Sequence, residues 1–241
     1  MIKDLIEDIP LVSPNTEISK VIGLMKEKNY YEVFLEENGK VACINAREIL
    51  KVKNLFTKAS TIKFYVPFLS LGDSISKAAN LMGEYRLRSL PVKEGKKVIG
   101  MITAFKLCEK VKADYPIKGI MTPHPITLDL RDKVSKAKSI MLRRKIDHLP
   151  ITEEGKLKGV LTSSLLLYYL LPSQKISEIT DEKIKRLDYP IKRISLEDPK
   201  TCNVNDSISK VVKEILSKRA SYSIVTLWDE IQGIVTLRDI I

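Results

Sequence analysis

Few side chains in this sequence are of the types that carry out covalent or metal chemistry. There are two histidines, His124 and His148, and three cysteines, Cys43, Cys108 and Cys202, which are widely spaced and form no CxxC pair. Two histidines exclude a histidine-rich metal centre, and an odd, scattered set of cysteines argues against a disulfide framework or a zinc site. The cysteines indicate a reducing compartment, so we expect a cytoplasmic protein.

The adjacent acid and imidazole of Asp147 and His148 do not predict a catalytic dyad, because neighbouring residues on a strand point to opposite faces. His124 lies between Pro123 and Pro125, an arrangement typical of an exposed turn. The sequence also lacks the patterns GxGxxG, GxxxxGKS/T, GxSxG and HExxH. We therefore expect a protein that is not an enzyme.

The composition is that of a soluble globular protein, with 241 residues of which 44% are hydrophobic and 29% are charged. The longest apolar run, LLLYYLL at 165–171, is far shorter than the roughly 20 residues that span a bilayer, and it predicts a buried helix. The first residues, MIKDLIEDIP, carry acids and lack the apolar core of a signal peptide. We expect neither membrane insertion nor secretion.

The charge balance suggests anionic partners. Lysine and arginine number 41 against 30 acids, which gives a net charge of +11 and leaves nucleic acid, an acidic protein or an anionic small ligand as partners. The positive charge is spread over the whole chain, without an interleaved aromatic and basic stripe. The two glutamines beside many lysines and glutamates suggest a thermophilic host.

The chain repeats one unit four times. A helix start containing Ser-Lys recurs at 19–20, 76–77, 135–136 and 209–210. The segment 114–167 overlays 188–241 without a gap, and the first copy is the most degenerate, matching the others only if its hairpin is one residue shorter. Repetition of this kind reports architecture, because a small unit cannot bury its sheet face alone.

Each unit is predicted to be a strand, a helix, a hairpin with a glycine turn, and a second helix, so the fold class is α+β with four β-α-β-β-α repeats. Acids near the helix starts, Asp73, Asp132 and Asp206, are expected to cap them. The expected units are residues 1–58, 59–113, 114–171 and 188–241, with a helical insertion at 172–187.

The repeats resemble the CBS domain family. The third copy carries the pattern as IMTPHPITLDLRDKVSKAKSIMLRRKIDHLPITEEGKLKGVLTSSLLL, and the fourth ends in GIVTLRDII, similar to the family's closing motif GhhTxxD. The resemblance implies two Bateman modules, copy 1 with copy 2 and copy 3 with copy 4, each packed sheet against sheet around a pseudo-twofold axis. Two modules in one chain are similar to the flat disc of the gamma subunit of AMP-activated protein kinase.

The resemblance also implies clefts for adenosine-type ligands, namely AMP, ADP, ATP or S-adenosylmethionine. In the closing motif the acid would hold the ribose hydroxyls and the threonine the phosphate, and a carboxylate does accept two hydrogen bonds from a vicinal diol. Copy 4 has the complete pair, Thr236 and Asp239. We therefore expect one well-formed site that uses these two residues, although Asp239 also suits a helix cap.

The other copies depart from the motif. Copy 3 has Thr162 but a leucine at the acid position, and copy 2 has Thr103 but a lysine there, so these clefts are expected to be empty or altered. Copy 1 has Asn45 and Glu48, which leaves a second site open.

Two further groups of residues follow from the resemblance. The loop before each LP strand would face the phosphates, with Arg88, Ser89, Asp147, His148, Ser221 and Tyr222 at the inner positions. Arginine and histidine suit phosphate, and we favour His148 as a ligand contact. The adenine of the copy 4 site would be held by Thr201, Cys202, Val204 and Ala220.

The leading hypothesis is a non-catalytic energy or metabolite sensor that binds an adenine nucleotide and signals its occupancy to a separate protein effector. The alternatives are a nucleic-acid-binding protein and a scaffold that has lost its ligand. The sequence leaves open which nucleotide is preferred, and whether the modules pair within a chain or between chains as a homodimer.

Overall fold

The computed structural model describes residues 2–171 and 185–241. The four long helices are α1 Ile18–Lys28, α4 Ile75–Tyr85, α6 Val134–Arg144 and α8 Ile208–Ser217. The four hairpins are β1 Glu32–Glu37 with β2 Lys40–Asn45, β5 Ser89–Glu94 with β6 Lys97–Thr103, β9 His148–Glu153 with β10 Lys156–Thr162, and β12 Tyr222–Leu227 with β13 Glu230–Thr236. The closing helices are α2 Ala46–Ile49, α5 Ala104–Cys108, α7 Ser163–Leu170 and α9 Leu237–Ile240.

Short elements connect these units: helix α3 Ala59–Ile62 and the strands β3 Phe64–Tyr65, β4 Leu69–Ser70, β7 Thr122–Pro123, β8 Leu128–Asp129 and β11 Thr201–Asn203. The predicted α+β class and the repeated strand and helix order are confirmed. The insertion expected at 172–187 lies outside the described residues, apart from 185–187, which are helical.

The hairpins explain why the first copy is one residue shorter than the other three. In copies 2, 3 and 4 the register shifts by one residue within the hairpin, a β-bulge, whereas β1 and β2 pair without a shift. A bulge adds one residue to one strand only. The first copy is therefore one residue shorter because it lacks the bulge.

The acids expected to cap the long helices have a different role. Asp73, Asp132 and Asp206 each accept a hydrogen bond from the backbone N–H three residues earlier, so they close the turn that precedes the helix. Each also pairs with the lysine four residues later, Lys77, Lys136 and Lys210. The cap of α4 is Ser74 and that of α8 is Ser207, while α6 begins without a side-chain cap. The cap prediction was wrong, and the recurring lysine of the Ser-Lys pair is explained by this ion pair.

The N-terminal segment of each copy crosses to the sheet of its partner copy. Strand β3 of copy 2 pairs with β2 of copy 1, and β7 of copy 3 pairs with β13 of copy 4. In the opposite directions, Glu7 bridges to Met101 and Glu197 bridges to Val160. Copies 1 and 2 thus exchange segments, and so do copies 3 and 4.

Three glycines make these crossings possible. A Cβ on Gly100 would lie 2.7 Å from Glu7 O, one on Gly159 would lie 3.0 Å from Glu197 O, and one on Gly233 would lie 3.0 Å from Thr122 O. In copies 2, 3 and 4, the glycine in the second strand of the hairpin is therefore required for close backbone approach rather than for a turn.

The four copies are joined within one chain. Alternation along β1 sends Val33 and Leu35 into a core shared by copies 1 and 3, and sends Phe34 into a core shared with copies 2 and 4. Helix α2 packs on α7, and α5 packs on α9. The two pairs therefore meet through their closing helices, which brings residues of all four copies to the centre of the molecule.

Candidate functional site

Two cavities contain the closing-motif residues of copies 2, 3 and 4. The first, called the outer cleft here, has a volume of about 360 Å³ and lies between copies 3 and 4. Its walls include Thr236, Arg238 and Asp239 of copy 4, and the segments 122–126 and 146–148 of copy 3. The complete motif of copy 4 therefore opens onto a space that its partner copy completes.

The Thr236–Asp239 pair is held in a fixed geometry at the start of α9. Asp239 Oδ2 accepts hydrogen bonds from Thr236 N at 2.7 Å and from Thr236 Oγ1 at 2.8 Å, so the two residues form a capping box. Within the described part of the chain, Asp239 Oδ1 accepts no hydrogen bond. The cap therefore uses one oxygen and leaves the other for the cleft.

Two arginines give the outer cleft a positive wall. Arg144 ends helix α6 and Arg238 follows Thr236 by two residues. Burial lowers the pKa of Arg238, with the nearby Arg88 adding to the effect, although the guanidinium remains the charged form at neutral pH. Among the described residues Arg238 makes no ion pair, so its charge is available to an anion in the cleft.

His148 is a neutral group in this structure. Its ring is buried, Nε2 lies 2.9 Å from Ser221 Oγ, and the ring packs at 4.9 Å from that of Tyr222. Burial, assisted by Arg88, lowers the pKa of His148 to about 3. His148 therefore lines the outer cleft as a neutral imidazole, and its expected role as a ligand contact stays a prediction.

Asp147 precedes strand β9, and its carboxylate has different hydrogen-bond partners from the His148 ring. Arg47 Nη1 donates to both carboxylate oxygens of Asp147, at 2.7 and 2.8 Å, and Tyr31 Oη donates at 2.5 Å. Burial alone would raise the pKa of Asp147, but Arg88 and Arg47 outweigh it and hold the pKa below its usual value. Asp147 thus connects copy 3 to copy 1 at the centre of the molecule.

The second space, called the central cavity here, has a volume of about 320 Å³ and is lined by all four copies. It contains Thr103 and Thr162, the motif threonines of copies 2 and 3, together with Arg88, Ala220 and Ser221. The clefts that lack the motif acid therefore open onto one shared space.

A buried carboxylate lies in the wall of this cavity. Glu32, only 3% exposed, accepts hydrogen bonds from Ser89 Oγ at 2.5 Å and Arg88 N at 3.0 Å, and burial raises its pKa. Arg88 stacks on the Tyr31 ring with its guanidinium carbon 3.7 Å from the ring centre. Ser89 and Arg88 are therefore engaged between copies 1 and 2.

The structure does not bring the residues expected around the adenine to the Thr236–Asp239 pair. Thr201, Cys202 and Val204 lie at strand β11, which pairs in parallel with β12 inside copy 4, and Cys202 is buried in the core. Ala220 lines the central cavity instead. The reason is the crossing of segments, which completes the copy 4 cleft with residues 122–126 of copy 3.

Three other candidate residues contact neighbouring protein groups and line neither cavity. Tyr222 is 1% exposed and packs in a small core between copies 3 and 4. Asn45 of copy 1 caps α2 by accepting from Glu48 N at 2.9 Å, and the Glu48 carboxylate accepts from Lys51 at 2.6 Å. These contacts stabilise copy 1 and do not bring Asn45 or Glu48 to either cavity described above.

Sequence reasoning missed the contribution of His124, which was read as an exposed turn residue. It is exposed, has a left-handed backbone with φ of 46°, and lines the outer cleft beside Thr122. The signal was the glycine at 233, whose equivalents recur in two other copies, since such a glycine indicates that another backbone crosses there.

A metal-binding cluster and a membrane-spanning helix are both absent from the residues described. No group of three or more histidine, cysteine or carboxylate side chains is placed to hold a metal ion in residues 2–171 and 185–241. Over the same residues, no helix is long and apolar enough to cross a membrane.

Comparison with known proteins identifies three of the four repeats. The sequence profile of the CBS domain matches residues 62–113, 117–172 and 191–241. The structure is similar to that of protein MJ1225 from Methanocaldococcus jannaschii, described as a proposed archaeal homolog of g-AMPK, with a TM-score of 0.85 and 20% identity over 97% of this chain and 95% of that one. A conserved protein from Pyrococcus horikoshii matches with a TM-score of 0.64 and 17% identity over 99% of this chain and 97% of that one.

Two curated sequences are also similar. Protein MJ1404 of Methanocaldococcus jannaschii is 26% identical over 98% of this chain, which spans 59% of that protein. Inosine-5′-monophosphate dehydrogenase of Korarchaeum cryptofilum is 35% identical over 40% of this chain, which corresponds to 20% of the enzyme. The chain thus spans about three fifths of the first relative and one fifth of the second.

Proposed function

The chain belongs to the CBS domain family, and from this premise we propose that it is a non-catalytic regulatory protein that binds an adenine nucleotide in the outer cleft and signals its occupancy to a partner protein. One observation carries the proposal: the Thr236–Asp239 pair lies on the wall of a cleft of about 360 Å³, with one carboxylate oxygen that accepts no hydrogen bond from the residues the structure describes.

The chemistry of the cleft suits a ribonucleotide. Asp239 Oδ1 is an acceptor for a ribose hydroxyl, and a carboxylate gives charge-assisted hydrogen bonds that are stronger than neutral ones. Arg144 and Arg238 lie on the same cleft and supply positive charge for a phosphate. Apolar surface for a base comes from Ile126, Ile146 and Ile234. A volume of about 360 Å³ is in the range of small-molecule sites, which begins at roughly 300 Å³.

The position of the cleft provides a route for signalling. A ligand in the outer cleft contacts copies 3 and 4 at once. The wall of the cleft also includes Asp147, whose carboxylate is bound by Arg47 of copy 1. A ligand shifts a conformational equilibrium only as far as its affinities for the two states differ. Because the site lies at the junction of several copies, a shift of the copies relative to each other changes its shape, and the affinity for the ligand then differs between the two states.

A thermal-shift series tests the proposal. AMP, ADP, ATP and S-adenosylmethionine are compared with GMP at equal concentration. A ligand at 100 times its dissociation constant adds about 2.7 kcal/mol of stability, which is a visible increase in melting temperature. We expect an increase that is selective for adenine compounds. An equal increase with GMP would contradict selectivity for adenine and would indicate general nucleotide binding by a basic protein. No increase with any compound would exclude the proposed function.

A further inference from the structure

The crossing segments place different residues at one equivalent position in each cleft. In each copy the crossing residue pairs with the strand residue two before the motif threonine or asparagine. These crossing residues are Glu7 in the cleft of copy 2, Glu197 in that of copy 3, Thr122 in that of copy 4 and Phe64 in that of copy 1. A glutamate therefore crosses in the two copies whose motif lacks the acid, and not in the copy that has Asp239.

The crossing glutamates bind the motif threonine as Asp239 does. Thr103 Oγ1 donates to Glu7 Oε2 at 2.6 Å, and Thr162 Oγ1 donates to Glu197 Oε1 at 3.4 Å. In copy 4, Thr236 Oγ1 donates to Asp239 Oδ2 at 2.8 Å. In all three copies a carboxylate thus lies against the motif threonine, although it comes from the same copy in one case and from the partner copy in the other two.

Glu197 combines this contact with access to a cavity. It lines the central cavity beside Thr162, and Arg88 and Arg219 line the same space. In the residues described, Glu197 Oε2 accepts no hydrogen bond and Glu197 makes no ion pair. Among the described residues the cavity therefore has one carboxylate oxygen without a hydrogen bond, a hydroxyl, the guanidinium of Arg219, and that of Arg88, which also lies 3.8 Å from Asp147.

We propose that the central cavity is a second ribonucleotide site, in which Glu197 replaces the missing motif acid of copy 3 and accepts hydrogen bonds from the ribose diol. The ligand class is a ribonucleotide, because the carboxylate recognises a vicinal diol and the arginines recognise a phosphate. This inference rests on the proposed function, since the role of Glu197 is assigned by its equivalence to Asp239.

Calorimetric titration with AMP tests the inference through the number of binding sites. The wild type is compared with Glu197→Gln, which removes the charge and keeps the side-chain length. The matched control is Asp198→Asn, which removes the same charge one residue later. We expect two equivalents of AMP for the wild type and for Asp198→Asn, and one equivalent for Glu197→Gln. In Asp239→Asn, where the central cavity is the remaining site, 2′-deoxy-AMP should bind at least tenfold more weakly than AMP.

Each result separates the inference from the proposed function. If the wild type binds one equivalent of AMP and Asp239→Asn binds none, AMP binding in the outer cleft is supported and a site in the central cavity is excluded. If Glu197→Gln loses an equivalent while Asp239→Asn binds as the wild type does, the central site stands and the outer cleft is excluded. If the wild type binds no AMP, both are excluded. Equal stoichiometry and affinity in Glu197→Gln and Asp198→Asn would overturn the inference even when AMP binds.

Discussion

Arg47 and Asp147 form a buried ion pair between the first and third copies, in which the single nitrogen Arg47 Nη1 lies 2.7 and 2.8 Å from the two carboxylate oxygens. Both side chains are nearly inaccessible, at 8% and 4% exposure. The pair links the two modules at the centre of the molecule, and Tyr31 and Ser163 donate to the same carboxylate. It therefore holds the two modules in one relative position.

Replacing Arg47 by alanine should destabilise the protein by about 3–5 kcal/mol, because the buried Asp147 carboxylate loses the guanidinium that donates to both of its oxygens. Urea denaturation measures the change. Lys158→Ala, which breaks an exposed ion pair with Glu153, is the control and should have almost no effect. Equal stability of Arg47→Ala and Lys158→Ala would contradict a structural role for the central pair.

Alanine substitutions at two glycines should have opposite effects. Gly100→Ala places a Cβ 2.7 Å from Glu7 O, so we expect a loss of about 1–3 kcal/mol from overpacking against a backbone atom. Gly83 lies in helix α4 with open space around it, and Gly83→Ala should stabilise the protein by about 0.5–1 kcal/mol. Thermal and chemical denaturation report both changes. A neutral result for Gly100→Ala would argue against the crossing of residue 7 over the copy 2 sheet.

Stability should fall in mild acid because of His148. Its pKa is about 3 in the folded protein and 6.5 as a reference, so the unfolded chain binds a proton between these values while the folded one does not. Stability is therefore fully present above pH 6.5 and decreases as the pH falls toward 3. Between pH 7.5 and pH 5 the His148 contribution is a loss of about 2 kcal/mol.

The raised pKa of the Glu32 carboxyl changes stability in the opposite direction as the pH falls, because the folded protein holds that proton more tightly than the unfolded chain. His148→Gln removes the contribution of His148 to the pH dependence of stability and keeps that of Glu32. The difference between wild type and His148→Gln, measured by urea denaturation at the two pH values, isolates the imidazole. A wild type that loses no more stability than His148→Gln would show that the imidazole is not buried in its neutral form.

The repeats allowed the fold to be predicted from sequence, because hydrophobic spacing and glycine turns recur in every copy. They also predicted that Thr236 and Asp239 lie together, since three-residue spacing at a helix start brings two side chains close. The partner side of the cleft was not predictable in this way. Residues 122–126 reach Asp239 through an exchange of segments between copies, and spacing within one copy contains no information about it.

Protonation states and the partners of charged side chains were not predictable from local sequence either. His148 follows an acid and precedes a strand in the sequence, which says nothing about how deeply the ring is buried or that Arg88 approaches it. Asp73 and its equivalents were expected to cap helices, yet a serine one residue later caps α4 and α8, so the acid is left to close the preceding turn. Local patterns predicted which residues cluster, and tertiary packing determined their partners and protonation.

The central claim is that Asp239 holds a nucleotide in the outer cleft. The most direct test is calorimetric titration of AMP into Glu197→Gln and into Glu197→Gln combined with Asp239→Asn, since the first substitution leaves the outer cleft as the expected site. Asparagine keeps an acceptor for the Thr236 cap, so melting temperature should change little. We predict that affinity for AMP falls ten- to a hundredfold in the double variant, the loss expected for hydrogen bonds to a charged acceptor. Equal affinity in the two proteins would contradict the claim.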